Sequence, residues 1–217
     1  MRLYLDTADR EAAEPLLATG LFFGVTTNPT IFQRASLGVE DIPATYEWAI
    51  RAGAREVFFQ AWGEDTATLV DRGQRLRDLG QEVVVKLVAS RAGAAACARL
   101  AARGVPTLLT AVYDAGQALV ASAAGATYIA PYLSKLQEQG RDGLAEVLAM
   151  HEVLTGTRSR TKVLLASIRD VQSMVYLARH GVDCFTMGPA VADELFSQEM
   201  TEQAARAFED AVRATSR

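Results

Sequence analysis

The chain has 217 residues, of which 50% are hydrophobic and 22% are charged, and its formal net charge at pH 7 is −4. This length supports one large hydrophobic core, and we expect a single domain over residues 1–217. The acidic balance argues against a nucleic-acid-binding protein, because such proteins present a basic face to the phosphates. No run of about 18 apolar residues occurs, which argues against a membrane-spanning helix and a membrane partner.

The N-terminus, the cysteines and the histidines bear on location and on metal binding. The first residues, MRLYLDTADRE, turn acidic where a secretory signal would stay apolar. Cys97 and Cys184 stand alone, without disulfide or metal spacing, and fit a reducing compartment. His151 and His180 fall in predicted helices, away from other ligand-type residues. We therefore expect a cytoplasmic protein with no metal site and no cofactor.

Short β-type runs recur along the chain and alternate with segments rich in Ala, Leu, Arg and Glu that predict helices. The runs are RLYLDTA at 2–8, FFGVTTN at 22–28, EVFFQAW at 56–62, EVVVKLV at 82–88, PTLLTAVY at 106–113, TYIAPYL at 127–133, KVLLASI at 162–168 and DCFTMG at 183–188. Apart from the first and the last, they are continuously apolar, which is typical of parallel strands covered on both faces.

A glycine stands shortly before each run after the first, where a helical pattern ends. These glycines are Gly20, Gly53, Gly80, Gly104, Gly125, Gly156 and Gly181. A left-handed C-terminal cap suits a residue without a Cβ, so we expect that conformation at these positions. Strand, helix and glycine stop make a βα unit, and eight such units predict an α/β protein with a (β/α)8 (TIM) barrel. The alternative, an open doubly wound sheet, lacks the glycine-rich phosphate-binding loop expected after an early strand.

The chain ends in MTEQAARAFEDAVRATSR at 200–217, which predicts an additional amphipathic helix after the barrel. Ala204, Phe208 and Val212 fall on one side of this helix. The sequence leaves open whether that side packs on its own barrel or on another subunit.

The active site of such a barrel forms at the C-terminal ends of its strands. Almost every predicted strand delivers a polar residue there: Asp6, Thr26, Thr27, Asn28, Gln60, Lys86, Thr110, Tyr132 and Ser167. Neither histidine falls at a strand end, so a serine nucleophile would lack its base. Two-carboxylate glycoside chemistry would lack its second carboxylate. The remaining candidate nucleophile is a lysine.

Lys86 is conspicuous because only three of the 22 basic residues are lysines. It stands in EVVVKLVAS, where the surrounding apolar side chains would bury it and disfavour the ammonium form. A neutral amine can attack a carbonyl and form a Schiff base, which an arginine cannot do. We therefore predict that Lys86 is a nucleophile. The alternative is a structural ion pair between Lys86 and Asp6 across the barrel.

The motifs LYLDTAD, GVTTNPTIF, VVVK, TAVY, GATYIAPYLSKL and LLASIR, in this order, resemble the short branch of the transaldolase family over essentially the whole chain. The resemblance implies a strand-four lysine, Lys86, that forms an imine with a ketose. The bond between C3 and C4 of the sugar is then broken, which leaves a dihydroxyacetone unit on the enzyme. Asp6 matches the carboxylate that handles the C4 hydroxyl proton or holds the substrate.

The resemblance also assigns roles to other strand-end residues. Thr26, Thr27 and Asn28 match the motif that hydrogen-bonds the donor hydroxyls, and Ser167 matches a residue that lines the donor end of the site. Thr110 matches the residue that helps to hold a catalytic water. For the TNPT segment, the alternative is local turn and cap chemistry before the proline.

Two positions bear on the reaction within this family. True transaldolases usually carry Glu on strand three and Phe in the strand-six motif, whereas this chain has Gln60 and Tyr132, which resembles the fructose-6-phosphate aldolase branch. A tyrosine hydroxyl can exchange a proton and a glutamine amide cannot. Tyr132, through a water held by Gln60 and Thr110, would protonate the enamine and release the donor to water. The alternative is a transaldolase that passes the donor to an acceptor sugar.

Lys135 and Arg169 follow late strands, on the usual phosphate side of this barrel, and we predict that they bind a substrate phosphate. The family usually has Arg where Lys135 stands, and an ammonium cannot make a forked contact. The alternative is that both are solvated surface cations. The resemblance also implies sugar and sugar-phosphate substrates and a homo-oligomer of five or ten subunits. A barrel that binds or isomerises a sugar phosphate without covalent catalysis is a further alternative.

Overall fold

The computed structural model describes residues 1–215, so the last two positions of the helix predicted at 200–217 lie outside the described residues. The strands are β1 (Arg2–Asp6), β2 (Phe22–Thr26), β3 (Glu56–Gln60), β4 (Val83–Val88), β5 (Thr107–Val112), β6 (Tyr128–Pro131), β7 (Lys162–Ile168) and β8 (Cys184–Met187). Each strand falls within one of the predicted β-type runs.

Helices separate the strands and follow the last one. They are α1 (Arg10–Ala18), α2 (Pro29–Arg34), α3 (Ile42–Arg51), α4 (Thr66–Arg77), α5 (Arg91–Ala101), α6 (Ala115–Ala123), α7 (Leu133–Glu138), α8 (Gly143–Gly156), α9 (Val171–Arg179), α10 (Pro189–Glu194) and α11 (Glu199–Thr215), with a 3₁₀ turn at Val39–Asp41. Most of them are preceded by an N-cap residue, whose side chain accepts a hydrogen bond from the main-chain N–H three residues later. These caps are Asp9, Asn28, Asp65, Ser90, Asp114, Asp142 and Asp170. Each stabilises its helix by about 0.5–2 kcal/mol.

The strands pair in parallel and in chain order, and β1 pairs with β8 to close the barrel. The predicted (β/α)8 barrel with a C-terminal helix is confirmed, and the alternative of an open doubly wound sheet is wrong. The register aligns Asp6 with Thr26 and Gln60 with Lys86. Since all strands are parallel, their C-terminal ends lie at one end of the barrel, where these polar residues meet.

The barrel interior is filled with side chains below this polar end. Tyr4, Phe58 and Tyr128 belong to the interior cluster and are almost fully buried. The hydroxyls of Tyr4 and Tyr128 donate to the Glu56 carboxylate at 2.7 Å and 3.0 Å. Arg2 also bonds this carboxylate, at 3.1 Å. The aromatic rings and this hydrogen-bonded cluster close the N-terminal part of the barrel.

The glycine stops are partly confirmed. Positive φ angles occur at Gly20, Gly53, Gly104, Gly125 and Gly181. Gly80 and Gly156 do not have a positive φ, so the expectation of a left-handed cap is wrong there. At Gly80 the reason for glycine is space, because a Cβ would lie 1.7 Å from the Tyr46 hydroxyl. Gly156 is the last residue of α8, and the left-handed residue that follows it is Arg158.

The C-terminal helix α11 stands out from the barrel. Its residues from Glu199 to Thr215 include none that is buried. Met200 and Phe208 are 77% and 71% exposed. Separately, within residues 1–215 no helix is long and apolar enough to span a bilayer.

Candidate active site

A cavity of about 530 Å³ lies at the C-terminal ends of the strands. It brings together most of the predicted site residues: Asp6, Asn28, Gln60, Lys86, Thr110, Tyr132, Lys135 and Ser167 all line it. Thr26, Thr27 and Arg169 are not among its lining residues. The cavity therefore holds one buried amine, one carboxylate, one phenol and several neutral polar groups.

Lys86 enters the cavity from inside the barrel. Strand residues alternate in direction, and Val84 of the same strand packs in the interior cluster, whereas Val85 packs in the outer one. Lys86 therefore points inward and is only 4% exposed. Burial lowers the pKa of its amine below the ordinary 10.5, and the Asp6 carboxylate opposes that shift.

The amine of Lys86 has a main-chain partner. Its Nζ donates to the carbonyl oxygen of Thr27 at 2.6 Å. The ion pair with Asp6 that the sequence left open is not formed among residues 1–215. Asp6 instead acts on Lys86 through its charge, at a longer distance. Lys86 is thus a buried amine without a contact counter-ion within the described part of the chain.

A buried relay of hydroxyls holds the Asp6 carboxylate. Thr26 Oγ1 donates to Asp6 Oδ1 at 2.6 Å, and Thr186 Oγ1 lies 2.6 Å from Thr26 Oγ1. Since the single proton of the Thr26 hydroxyl goes to Asp6, the Thr186 hydroxyl must be the donor to Thr26. Sequence reasoning missed Thr186, although a threonine in the apolar run DCFTMG is a signal that could have indicated it.

The TTN segment serves structural contacts on one side of the cavity. Thr27 Oγ1 donates to the Phe58 carbonyl at 2.7 Å. Asn28 Oδ1 accepts from the Ile31 N–H at 3.0 Å and caps α2, so the cap interpretation is confirmed for Asn28. Asn28 also lines the cavity. The predicted contact of Thr26 and Thr27 with donor hydroxyls stays a prediction, and both hydroxyls have other partners here.

Tyr132 stands on the opposite side, directly after β6. Its hydroxyl lies 2.8 Å from Thr110 Oγ1, and its ring makes an edge contact with Tyr113 at 6.1 Å between centroids. Burial raises the pKa of Tyr132, while the hydrogen bond with Thr110 opposes the shift. The phenol therefore keeps its proton at neutral pH and is available as a proton donor in the cavity.

Two strands bend where they reach the cavity. The β5–β6 register shifts between Thr110 and Val112, and the β7–β8 register shifts between Leu165 and Ile168. Each shift contains a non-glycine residue with positive φ, namely Ala111 at 57° and Ser167 at 59°. Such backbone costs about 1–3 kcal/mol and concentrates at functional sites, where it aims side chains.

Ser167 is fixed by a neighbour that sequence reasoning did not single out. Its Oγ lies 2.5 Å from Ser134 Oγ, and Ser134 is buried at the start of α7. Ser167 lines the cavity, so the bend in β7 and the hydroxyl of Ser134 together set its direction.

The predicted phosphate-binding cations share one carboxylate. Lys135 Nζ lies 2.8 Å from Glu138 Oε2, and Arg169 forms an ion pair with the other oxygen of Glu138. The hydrogen bond from Lys135 lowers the pKa of Glu138, so this carboxylate remains charged at neutral pH. Lys135 lines the cavity, whereas Arg169 is exposed outside its lining. The charge of this pair is thus partly compensated.

The closed parallel barrel and the polar cavity at its strand ends place the chain in the (β/α)8-barrel class of proteins. Among solved structures, a mandelate oxidase with an FMN adduct is similar in fold, with a TM-score of 0.58 and 19% identity over 88% of this chain. This chain spans 65% of the length of that oxidase. At this identity the likeness shows the barrel fold alone.

The sequence comparisons give the family. The chain matches the family model described as Transaldolase/Fructose-6-phosphate aldolase over residues 3–217. Relatives from Phenylobacterium zucineum and Thermus thermophilus are each 33% identical, and both carry the name "Probable transaldolase". The match covers 96% of this chain in both cases and 94% and 96% of the two relatives. The chain belongs to the transaldolase/fructose-6-phosphate aldolase family.

Proposed function

We propose that the protein is a Schiff-base aldolase that cleaves fructose 6-phosphate, or a similar ketose, into dihydroxyacetone and an aldehyde such as glyceraldehyde 3-phosphate. The observation that carries this proposal is the buried amine of Lys86, whose pKa is lowered by burial, in a polar cavity at the strand ends. A neutral amine is the form that attacks a carbonyl. Class I aldolase chemistry needs no metal ion and no further cofactor.

In the first half of the proposed reaction, the Lys86 amine adds to the C2 carbonyl of the ketose. The adduct loses water and becomes a protonated imine. Asp6 accepts the proton of the C4 hydroxyl, the C3–C4 bond breaks, and its electron pair moves toward the imine nitrogen. The aldehyde leaves, and an enamine of dihydroxyacetone remains on Lys86. The hydroxyls of Thr26 and Thr186 hold the Asp6 carboxylate in place for this transfer.

In the second half, the enamine takes a proton at C3 and the imine is hydrolysed. Tyr132 is the proposed proton donor, because its phenol is buried, protonated and hydrogen-bonded to Thr110. Gln60 is the strand neighbour of Lys86 and lines the cavity, so its amide can hold the water with Thr110. Asn28, through its amide, and Ser167 would bind the donor hydroxyls. Thr26 and Thr27 would stabilise the wall of the site through their hydrogen bonds to Asp6 and to the Phe58 carbonyl.

A second candidate is a transaldolase that transfers the dihydroxyacetone unit to an acceptor sugar phosphate. The names of the relatives favour it, since those from P. zucineum and T. thermophilus are called probable transaldolases. Gln60 and Tyr132 favour the aldolase, because a phenol beside the enamine promotes its protonation. The two reactions share the enamine and differ only in what it meets next.

One assay separates the two candidates. Fructose 6-phosphate is incubated with the protein without an acceptor, and glyceraldehyde 3-phosphate is measured over many turnovers. The aldolase produces it continuously. Production that begins only after erythrose 4-phosphate is added would identify the transaldolase and overturn the first proposal.

We further propose where the protein acts, which cations bind the substrate phosphate, and how the subunits assemble. Residues 1–217 would act as one cytoplasmic domain with sugars and sugar phosphates as substrates. Lys135 and Arg169 would approach the phosphate from the side of α7. The exposed apolar residues Met200 and Phe208 of α11 support a homo-oligomer, of five or ten subunits by family resemblance, in which this helix reaches a neighbouring subunit.

A further inference from the structure

Arg34 lines the same cavity as Lys86, and the proposed reaction gives it no role. It is the last residue of α2 and its side chain is exposed. Arg34 also lines an adjoining cavity of about 700 Å³, which shares Asp6 and Ile31 with the first. Arg34 therefore lies between the two cavities, with its side chain open to solvent.

The geometry of α2 directs Arg34 toward the reacting centre. The helix begins at the Asn28 cap, beside Lys86, and Arg34 lies six residues later, about 9 Å along the helix axis. The Cα–Cβ bond of a helical residue tilts toward the N-terminus of its helix, and for Arg34 this is the direction of the Asn28 cap. Arg34 thus lines the cavity from an exposed position, whereas Lys86 is buried in the barrel interior.

The charges around the cavity differ in how far they are compensated. Lys86 is buried and reserved for the carbonyl in the proposed reaction. Lys135 shares Glu138 with Arg169. Arg34, in contrast, has no ion pair or side-chain hydrogen bond to any residue in the described range 1–215. Of the cations that line this cavity, Lys86 has a main-chain carbonyl partner and Lys135 has a carboxylate partner, whereas Arg34 has neither within residues 1–215.

None of the carboxylates that line the adjoining cavity forms an ion pair with Arg34 within residues 1–215. Asp9 accepts from the Ala12 N–H, and Asp41 accepts from the Gly38 N–H. Glu11 also lines that cavity and forms no ion pair with Arg34 within residues 1–215. A free guanidinium presents paired N–H groups that match the oxygens of a phosphate.

We propose that Arg34 binds the phosphate monoester at the far end of the ketose or aldehyde, from the wall opposite Lys135. This rests on the proposed function for the identity of the substrate, and it adds a specificity-determining residue to that site. The carbonyl end of the substrate reaches Lys86 inside the barrel, and the phosphate stays at the mouth between α2 and α7.

The first test compares phosphorylated and unphosphorylated acceptors with dihydroxyacetone as donor. Arg34→Gln should raise the KM for glyceraldehyde 3-phosphate about 10-fold or more and leave the KM for glyceraldehyde unchanged. Arg34→Lys should fall between, since it keeps the charge and loses the fork. The matched control is Arg103→Gln, an exposed arginine that precedes β5 at the other end of the barrel. Equal KM ratios in Arg34→Gln and Arg103→Gln would overturn the proposal.

The second test does not depend on covalent chemistry. Glycerol 3-phosphate carries the phosphate and no carbonyl, and its binding is measured by titration calorimetry. Arg34→Gln should weaken it, and Arg103→Gln should not. If Lys135→Gln weakens binding and Arg34→Gln does not, Arg34 has no phosphate role. In a separate experiment, the wild-type protein is reduced with borohydride in the presence of dihydroxyacetone. Absence of an adduct contradicts the proposed aldolase, whereas the calorimetry tests Arg34 alone.

Discussion

The Nζ of Lys86 donates to the main-chain oxygen of Thr27 at 2.6 Å, across the barrel end from β4 to the residue after β2. Thr27 is itself held by its hydroxyl on the Phe58 carbonyl. The amine has an N–H for this bond in both protonation states, so its direction persists when it loses its proton. The neutral amine then has its lone pair free for a carbonyl in the cavity. This contact orients the proposed nucleophile without fixing its charge, as a carboxylate partner would.

Replacing Asp6 with Asn should separate imine formation from cleavage. The Asp6 carboxylate favours the ammonium form of Lys86, so its removal should lower the pKa of Lys86 further. The neutral fraction of the amine then rises at a given acidic pH. We expect the pH profile of borohydride trapping with dihydroxyacetone to move to lower pH, while fructose 6-phosphate cleavage falls about 10²–10⁴-fold.

Asp9→Asn is the control for that experiment, because Asp9 lies in the adjoining cavity and caps α1. Asp9→Asn should leave the pH profile of borohydride trapping at its wild-type position. A profile of Asp6→Asn that moves to higher pH, or cleavage at the wild-type rate, would contradict the assigned role of Asp6.

Tyr132→Phe should impair the release of dihydroxyacetone more than its transfer. The phenol is the proposed proton donor to the enamine, and transfer to an acceptor sugar does not need this proton. We expect acceptor-free cleavage of fructose 6-phosphate to fall about 10²-fold. Tyr113→Phe tests the edge contact beside it and should change little. Equal losses in cleavage and in transfer to erythrose 4-phosphate would count against Tyr132 as the donor.

Thr186→Val should lower activity through Asp6 and not through substrate binding. The Thr186 hydroxyl donates to Thr26, which donates to Asp6, so its loss frees the carboxylate to turn. We expect kcat for cleavage to fall about 10-fold with little change in KM, and Thr186→Ser to restore it.

Thr161→Val gives a matched comparison for Thr186, because Thr161 is also buried and donates to the Ala126 carbonyl at 2.6 Å. Both valine variants should lose about 1–3 kcal/mol of unfolding free energy. Only Thr186→Val should lose activity. If the two variants lose kcat equally, the effect is one of general stability and the positioning role fails.

Phe208→Glu should weaken the proposed oligomer. Phe208 is exposed on α11, and burial of its ring against a neighbouring subunit would be lost with a carboxylate in its place. Light scattering should give five or ten subunits for the wild type and a smaller particle for the variant. Glu209→Gln, on the same helix, should keep the wild-type mass. A monomeric wild type would contradict the assembly.

The sequence was sufficient for the barrel and for the strand that carries Lys86. Continuous apolar runs that alternate with helical segments and glycine stops indicated buried parallel strands, and the parallel direction implied that the polar residues after them reach the same end. What it did not predict depends on the closed barrel. The bends at Ala111 and Ser167 exist only in relation to neighbouring strands, and no local pattern around either residue indicates a positive φ.

The sequence also did not predict which partners the polar side chains would bond. The motif TTN indicates polar groups near the site, but only the register shows that Thr26 turns to Asp6 and Thr27 to Phe58. The ion pairs of Glu138 with both Lys135 and Arg169 depend on how α7 lies beside the end of β7, which the sequence does not show. Arg34 lies at the end of a helix, so its place in the sequence does not indicate that it lines a cavity at the strand ends.

Borohydride reduction of the protein in the presence of dihydroxyacetone, followed by peptide mass spectrometry, tests the Schiff base at Lys86 directly. We predict the mass increase of one reduced imine, located on Lys86 and absent from Lys86→Met. A non-covalent sugar-phosphate barrel would give no adduct. An adduct that persists in Lys86→Met, or no adduct in the wild type, would contradict the proposed chemistry.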